Sequence, residues 1–170
     1  MLISHFFHVA IKTADLDTTV DFYTRVLGLV LHRRPAFDFQ GAWLAPTVAG
    51  ADAIFHVYAG DAARSTEGHF EQGTAAVDHL SLHSHGYAEL RQRFVDLALP
   101  YRQNIVPGLP IWQLFVYDPN GILLELTFHA EGEDMPAPVI DHELQYRPRD
   151  HFFDASAYRQ FGTVKEGAAS

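Results

Sequence analysis

Ile111-Trp112-Gln113-Leu114-Phe115-Val116-Tyr117-Asp118-Pro119-Asn120-Gly121-Ile122-Leu123-Leu124-Glu125-Leu126-Thr127-Phe128 reads as two apolar strands joined by a tight turn. Asp at the first, Pro at the second and Gly at the fourth turn position are the preferences of a type I turn. Within the second strand Glu125 interrupts a nearly continuous apolar run. A carboxylate taken out of water requires a metal, a cation or a proton. Upstream, Ala76 to His83 has the character of a strand. Tyr87 to Leu99 follows as a helix, with Leu90, Phe94 and Leu97 on one face, and Pro100 ends it. Tyr101 to Val106 is a further strand, so the order here is βαβββ.

The same order occurs once before. Phe6 to Lys12 is strand-like, and Asp15 offers a helix N-cap. Leu16, Val20, Tyr23 and Leu27 then form one apolar helix face, with Gly28 as its C-terminal stop. Three strand-like runs follow, Leu29 to Phe39, Ala42 to Val48 and Ala53 to Ala59, before a polar, glycine-bearing linker over 60–75. His8 and His79 stand 71 residues apart, and Leu27-Gly28-Leu29 returns as Leu97-Ala98-Leu99 at an offset of 70. A repeat of this kind decides the architecture. The expected fold is α+β, with paired βαβββ modules. Module one covers about 4–60 and module two about 76–130, together a single domain over 1–130. Residues 131–170 form a C-terminal arm whose aromatic residues, among them Tyr146, Phe152, Phe153, Tyr158 and Phe161, are expected to dock.

Composition narrows the function. The chain has 170 residues, 48% of them hydrophobic, and a formal net charge of −9. That balance disfavours nucleic acid and anionic membranes as partners, because both reward a basic face. No stretch approaches the roughly 20 apolar residues of a spanning helix. The first residues lack the pattern of a secretory signal, so a cytoplasmic location is expected. With no cysteine and 11 histidines, metal or acid/base chemistry here runs on imidazole, carboxylate and phenol groups.

Three residues on the strands of the two modules suit one metal site: His8, His79 and Glu125. Two imidazoles and one carboxylate form a facial donor set that leaves positions open for substrate or oxygen. Taken singly, a strand histidine is more often a hydrogen-bonded core or surface group than a metal ligand. His56 mirrors Glu125 at an offset of 69. Gln113, Phe115 and Tyr117 share one face of their strand by alternation.

The segments His8-Val9-Ala10-Ile11, Asp15-Leu16-Asp17, Phe22-Tyr23 and Val26-Leu27-Gly28-Leu29 resemble the opening of vicinal oxygen chelate proteins. Gln113 to Leu126 resembles their closing motif, in which the glutamate is a metal ligand. The superfamily includes glyoxalase I, extradiol dioxygenases, methylmalonyl-CoA epimerase and the fosfomycin and bleomycin resistance proteins. The resemblance implies that the paired modules form a curved, partly open mixed sheet around a metal cleft, with a divalent metal on His8, His79 and Glu125 and Fe(II) favoured over Mn, Zn, Ni or Co. His56 falls in a slot that is glutamate in bacterial-type glyoxalase I and a non-ligand in extradiol enzymes. The extradiol tyrosine slot holds Phe115.

The expectation is thus an Fe(II)-dependent extradiol-type dioxygenase that cleaves a small catecholic aromatic. His56 and Tyr117 would be its catalytic groups, and Gln113, Phe115 and Tyr101 would line the substrate pocket. The alternatives are a glyoxalase- or epimerase-type lyase or isomerase working through an enediolate, and a non-catalytic ligand-sequestering protein. A small-molecule substrate and a homodimer are the expected partners.

Overall fold

A computed structural model describes residues 5–162. The first βαβββ set comprises β1 (Val9–Lys12), α1 (Leu16–Arg25), β2 (Val30–His32), β3 (Gly41–Ala45) and β4 (Phe55–Tyr58). The second comprises β5 (Leu80–His83), α2 (Tyr87–Asp96), β6 (Tyr101–Ile105), β7 (Ile111–Tyr117) and β8 (Leu123–His129). Each set makes its own open four-stranded mixed sheet, ordered β1-β4-β3-β2 and β5-β8-β7-β6. The first and last strands of each set pair in parallel, and the other pairings are antiparallel. By contact the chain divides into two units. Residues 5–71 with 160–162 form the first, and 72–159 form the second.

In the first unit, the Asp15 carboxylate accepts a hydrogen bond from the Thr18 N–H at 2.9 Å and starts α1. Gly28, at φ +72°, turns the chain out of it. Phe22, Tyr23 and Val26 bury one helix face against Leu44, Phe55 and Val57, with the Tyr23 and Phe55 rings 4.7 Å apart. Strand alternation then places Ile54, His56 and Tyr58 of the β4 segment on the opposite face. The expected strand Leu29 to Phe39 shrinks to three residues. Pro35 interrupts it, and Arg34 lies over Phe37 and Phe39 at 4.8 and 4.7 Å. The expected linker is partly structured, with a 3-10 turn at Gly60–Ala63 and a bridge between Arg64 and Phe70.

In the second unit, Tyr87 and Phe94 of α2 cover Trp112, Phe128 and Tyr101, with ring separations of 5.2 to 5.7 Å. The buried Tyr87 hydroxyl donates to Gln103 Oε1 at 2.7 Å on this helix-covered face. Glu125, paired with Ser81 on β5 and Phe115 on β7, lies on the other face. The arm returns to that face. Tyr146, Phe152 and Phe153 pack on Phe115, Tyr117 and Leu123, and the buried Tyr158 hydroxyl donates to the Tyr117 carbonyl. Beyond Arg159 the chain belongs to the first unit, where Phe161 meets Phe22 at 6.0 Å and the Gly162 N–H donates to Asp21.

Candidate metal and substrate site

β5 and β8 carry the most organised polar group in the second unit. His79, one residue before β5, places Nε2 3.3 Å from Glu125 Oε2 and Nδ1 2.7 Å from Asp78 Oδ1. Glu125 is 8% exposed. Its other oxygen, Oε1, accepts from Ser81 Oγ at 2.7 Å and Thr127 Oγ1 at 2.8 Å. Both hydroxyls come from the same sheet face by alternation, so the carboxylate orientation is fixed by its neighbours.

Asp78 Oδ1 accepts from Nδ1 of His79, and the other ring nitrogen, Nε2, faces a carboxylate oxygen of Glu125. A ring nitrogen and a carboxylate oxygen at this distance share either a proton or a cation between them. The donor chemistry therefore fits a divalent metal, with Asp78, Ser81 and Thr127 as the outer hydrogen bonds that orient metal ligands.

In the first unit, His8 precedes β1 and stacks on His56 with ring centroids 3.8 Å apart at 19°. His56 stacks in turn on Trp43 at 4.1 Å and 7°. Among the described residues His8 Nδ1 is buried without a hydrogen-bond partner, which is costly for a polar atom unless another group satisfies it. Burial, and then the neighbouring His8, hold the His56 imidazole below its ordinary range. His56 is therefore a neutral ring at pH 7, able to accept a proton. Within each unit, among the described residues, no three His, Asp or Glu side chains gather as a metal cage.

The remaining expected residues divide. Gln113 and Tyr117 share the face of Glu125. Gln113 Oε1 accepts from Asn104 at 2.7 Å, and Asn104 accepts from Gln145 of the arm at 2.9 Å. Tyr117 is enclosed by Phe152 and Phe153, and burial, followed by the Asp78 charge, pushes its phenol up. Phe115 is on the expected face but is 1% exposed, because Tyr146 lies parallel on it at 3.7 Å and 9°. The arm thus substitutes a tyrosine for the expected phenylalanine wall. Tyr101 lies on the other face, against Phe94, and does not share the face of Glu125. Asp78, Ser81, Thr127 and Trp43 carry no signal that the sequence reading uses, and Tyr146 is read there only as an arm residue that docks. The alternation 79-81 and 125-127 could have supplied Ser81 and Thr127.

Comparison with known proteins places the chain in a family. The sequence profile of the Glyoxalase/Bleomycin resistance protein/Dioxygenase superfamily matches residues 5–126. The chain belongs to that superfamily. Members of this superfamily are mostly enzymes; they bind divalent metals and small molecules and are usually oligomeric. Glyoxylase I 4 of Arabidopsis thaliana is 25% identical over 122 residues, 70% of this chain and 67% of that protein. Lactoylglutathione lyase from Agrobacterium tumefaciens superposes with a TM-score of 0.55 at 19% identity, covering 77% of this chain and 98% of the other. TnmS3, an antibiotic binding protein from Streptomyces sp. CB03234, gives 0.54 at 18% identity, covering 76% and 98%. These two likenesses establish the superfamily fold. Residues 127–170, the arm among them, lie outside the matched span. Among the described residues no helix is long and apolar enough to cross a membrane.

Proposed function

We propose that this chain is a divalent-metal-dependent enzyme of small-molecule metabolism, working as a homodimer in the cytoplasm. His79 and Glu125 would hold the metal, with His8 as the donor from the first module and Fe(II) as the favoured ion. The observation that carries the reading is the Nε2 of His79 facing Glu125 at 3.3 Å, with both side chains held from behind by other groups. When bound, the metal supplies charge that lowers the pKa of substrate oxygens, and as iron it supplies the redox couple for oxygen chemistry.

The reaction we favour is dioxygenative ring opening of a small catecholic aromatic. The two-histidine, one-carboxylate set suits it. So does the aromatic pair of Tyr146 on Phe115 in the second unit, where the Phe115 ring meets His79 edge-on at 5.9 Å. His56, a neutral imidazole held flat by its neighbours, accepts the proton of a substrate hydroxyl. Tyr117, kept protonated by burial, serves as a donor.

The second reading is a glyoxalase- or epimerase-type lyase or isomerase in which His56 moves a proton between carbons. The name of the Arabidopsis relative and the neutral state of His56 favour it.

Metal analysis of anaerobically purified protein, followed by oxygen uptake with a panel of catechols, tests the reading. His8→Ala, His79→Ala and Glu125→Ala should each lose most of the metal while retaining the wild-type circular dichroism spectrum. Full metal occupancy in all three moves the site elsewhere. Proton exchange on an α-hydroxycarbonyl compound without oxygen uptake on any catechol selects the second reading.

A further inference from the structure

We propose that Tyr146, delivered by the C-terminal arm, is a positioning residue that holds His79 in its working orientation through Asp78. The inference rests on the metal reading in treating His79 as a donor, but its geometry stands in the second unit alone.

The argument begins with Asp78, whose side chain is 68% exposed just before β5. An exposed aspartate beside a histidine has several rotamers open to it, and one contact holds it weakly. Here a single oxygen, Oδ1, receives both the Nδ1 of His79 at 2.7 Å and the hydroxyl of Tyr146 at 3.3 Å. The second donor removes the freedom that the first alone would leave. A fixed carboxylate behind Nδ1 then fixes the imidazole tautomer and ring plane, and hence the direction of Nε2.

Tyr146 can do this because it is itself held at two points. Its backbone N–H donates to the Gln103 carbonyl at 2.8 Å, extending the β6 edge by one bridge at Gln145. Its ring lies flat on Phe115, which in turn meets His79 edge-on at 5.9 Å. The phenol is pushed up to about 12, first by burial and then by Asp78. It therefore remains an O–H donor at any pH where the enzyme would work. Tyr146 and Gln145 lie outside residues 5–126, the span matched by the superfamily profile, whereas their partners Asp78, Gln103 and Phe115 lie within it.

The test uses the full chain, with Tyr146→Phe keeping the stacked ring and removing only the hydroxyl, and Asp78→Ala removing the acceptor. The first readout is the imidazole 15N spectrum of His79 in metal-free protein at pH 8. Tyr146→Phe should move the His79 signals from the wild-type positions towards those of Asp78→Ala, with little change in melting temperature. The second readout is Co(II) titration. Asp78→Ala should weaken binding about 10- to 100-fold, and Tyr146→Phe by a smaller factor. The double variant should bind no more weakly than Asp78→Ala, because the hydroxyl acts only through that carboxylate. A His79 spectrum unchanged by Tyr146→Phe overturns the proposal, as does an additive double variant. A wild type that takes no Co(II), with His79 signals still shifted by Tyr146→Phe, removes the metal reading and leaves the positioning role standing.

Discussion

Glu133 caps a helix that lies more than forty residues before it: its carboxylate accepts the backbone N–H of Tyr87 at 2.7 Å and of Gly86 at 2.9 Å. Gly86, at φ +78°, has no side chain to cap α2. The arm supplies the missing acceptor, and its negative charge sits at the positive end of the helix dipole. Glu133→Ala should therefore destabilise the protein by about 1 kcal/mol, within the range for loss of an N-cap. Urea unfolding monitored by circular dichroism measures it. An unchanged midpoint would mean that water caps α2 equally well.

The repeated Leu-x-Leu triplet ends both helices, and its two copies differ in strain. Leu99 N–H donates to the Phe94 carbonyl and Ala98 N–H to the Val95 carbonyl, closing α2 with a Schellman turn. Ala98 takes φ +49° to do so, where Gly28 in the first copy takes +72°. A left-handed alanine costs about 1–2 kcal/mol, partly offset by the greater unfolded-state freedom of glycine. Ala98→Gly should raise stability by about 0.5–1 kcal/mol, read as a higher urea midpoint. A lower midpoint would show that the Ala98 methyl contributes packing that outweighs the strain.

The duplicated βαβββ order was legible because the signals that encode it are local: helix periodicity, the Asp15 cap, and the Asp118–Gly121 turn, where Gly121 N–H donates to the Asp118 carbonyl. Glu125 was legible for the same reason, as a carboxylate among apolar strand neighbours. What the sequence concealed depends on side chains far apart in the chain. Tyr101 was expected on the pocket face, yet β6 sets Tyr101 and Gln103 towards α2, and Arg102 and Asn104 towards the face of Glu125. A run as short as Tyr101 to Val106 has no alternation strong enough to reveal that phase. Phe115 was assigned the right face, but nothing local states that Tyr146, 31 residues later, covers it. Strand ends are equally hard to read: His8 and His79 lie one residue outside β1 and β5.

Alkaline pH should destabilise the protein through its buried tyrosines. Tyr87 is fully buried, and its phenol is pushed up to about 12, chiefly by burial. A raised folded-state pKa means that the native state holds a proton which the unfolded chain releases near 10. Its contribution is complete below pH 10 and is lost as pH rises through about 12. Tyr158 is pushed up by burial as well and adds in the same direction. Melting temperature recorded between pH 8 and 12 should fall above pH 10. Tyr87→Phe should start lower, since it strands the side-chain Oε1 of Gln103, but should fall less steeply. Parallel curves would remove Tyr87 from the alkaline transition.

His56→Ala separates the two proposed reactions because each assigns His56 a different role. Its ring lies between His8 and Trp43, 8% exposed and neutral at pH 7. In the ring-opening reading His8, His79 and Glu125 complete the donor set, and His56 only accepts a proton. The variant should then keep its metal and lose rate about 10²-fold or more, the usual contribution of a positioned base. In the lyase or isomerase reading His56 is a fourth donor, so metal content and activity should fall together. Metal stoichiometry and turnover are to be measured on the same sample. Melting temperature is recorded beside them, because alanine also removes a ring from the stack and a general loss of fold would mimic the second result. His56→Gln, which restores much of the lost volume without a titrating imidazole, serves as the control. It should repeat the rate loss of alanine with a smaller drop in melting temperature. If both variants keep full metal and full turnover, His56 is a structural member of the stack and the proton must pass through another group, with Tyr117 the first to test.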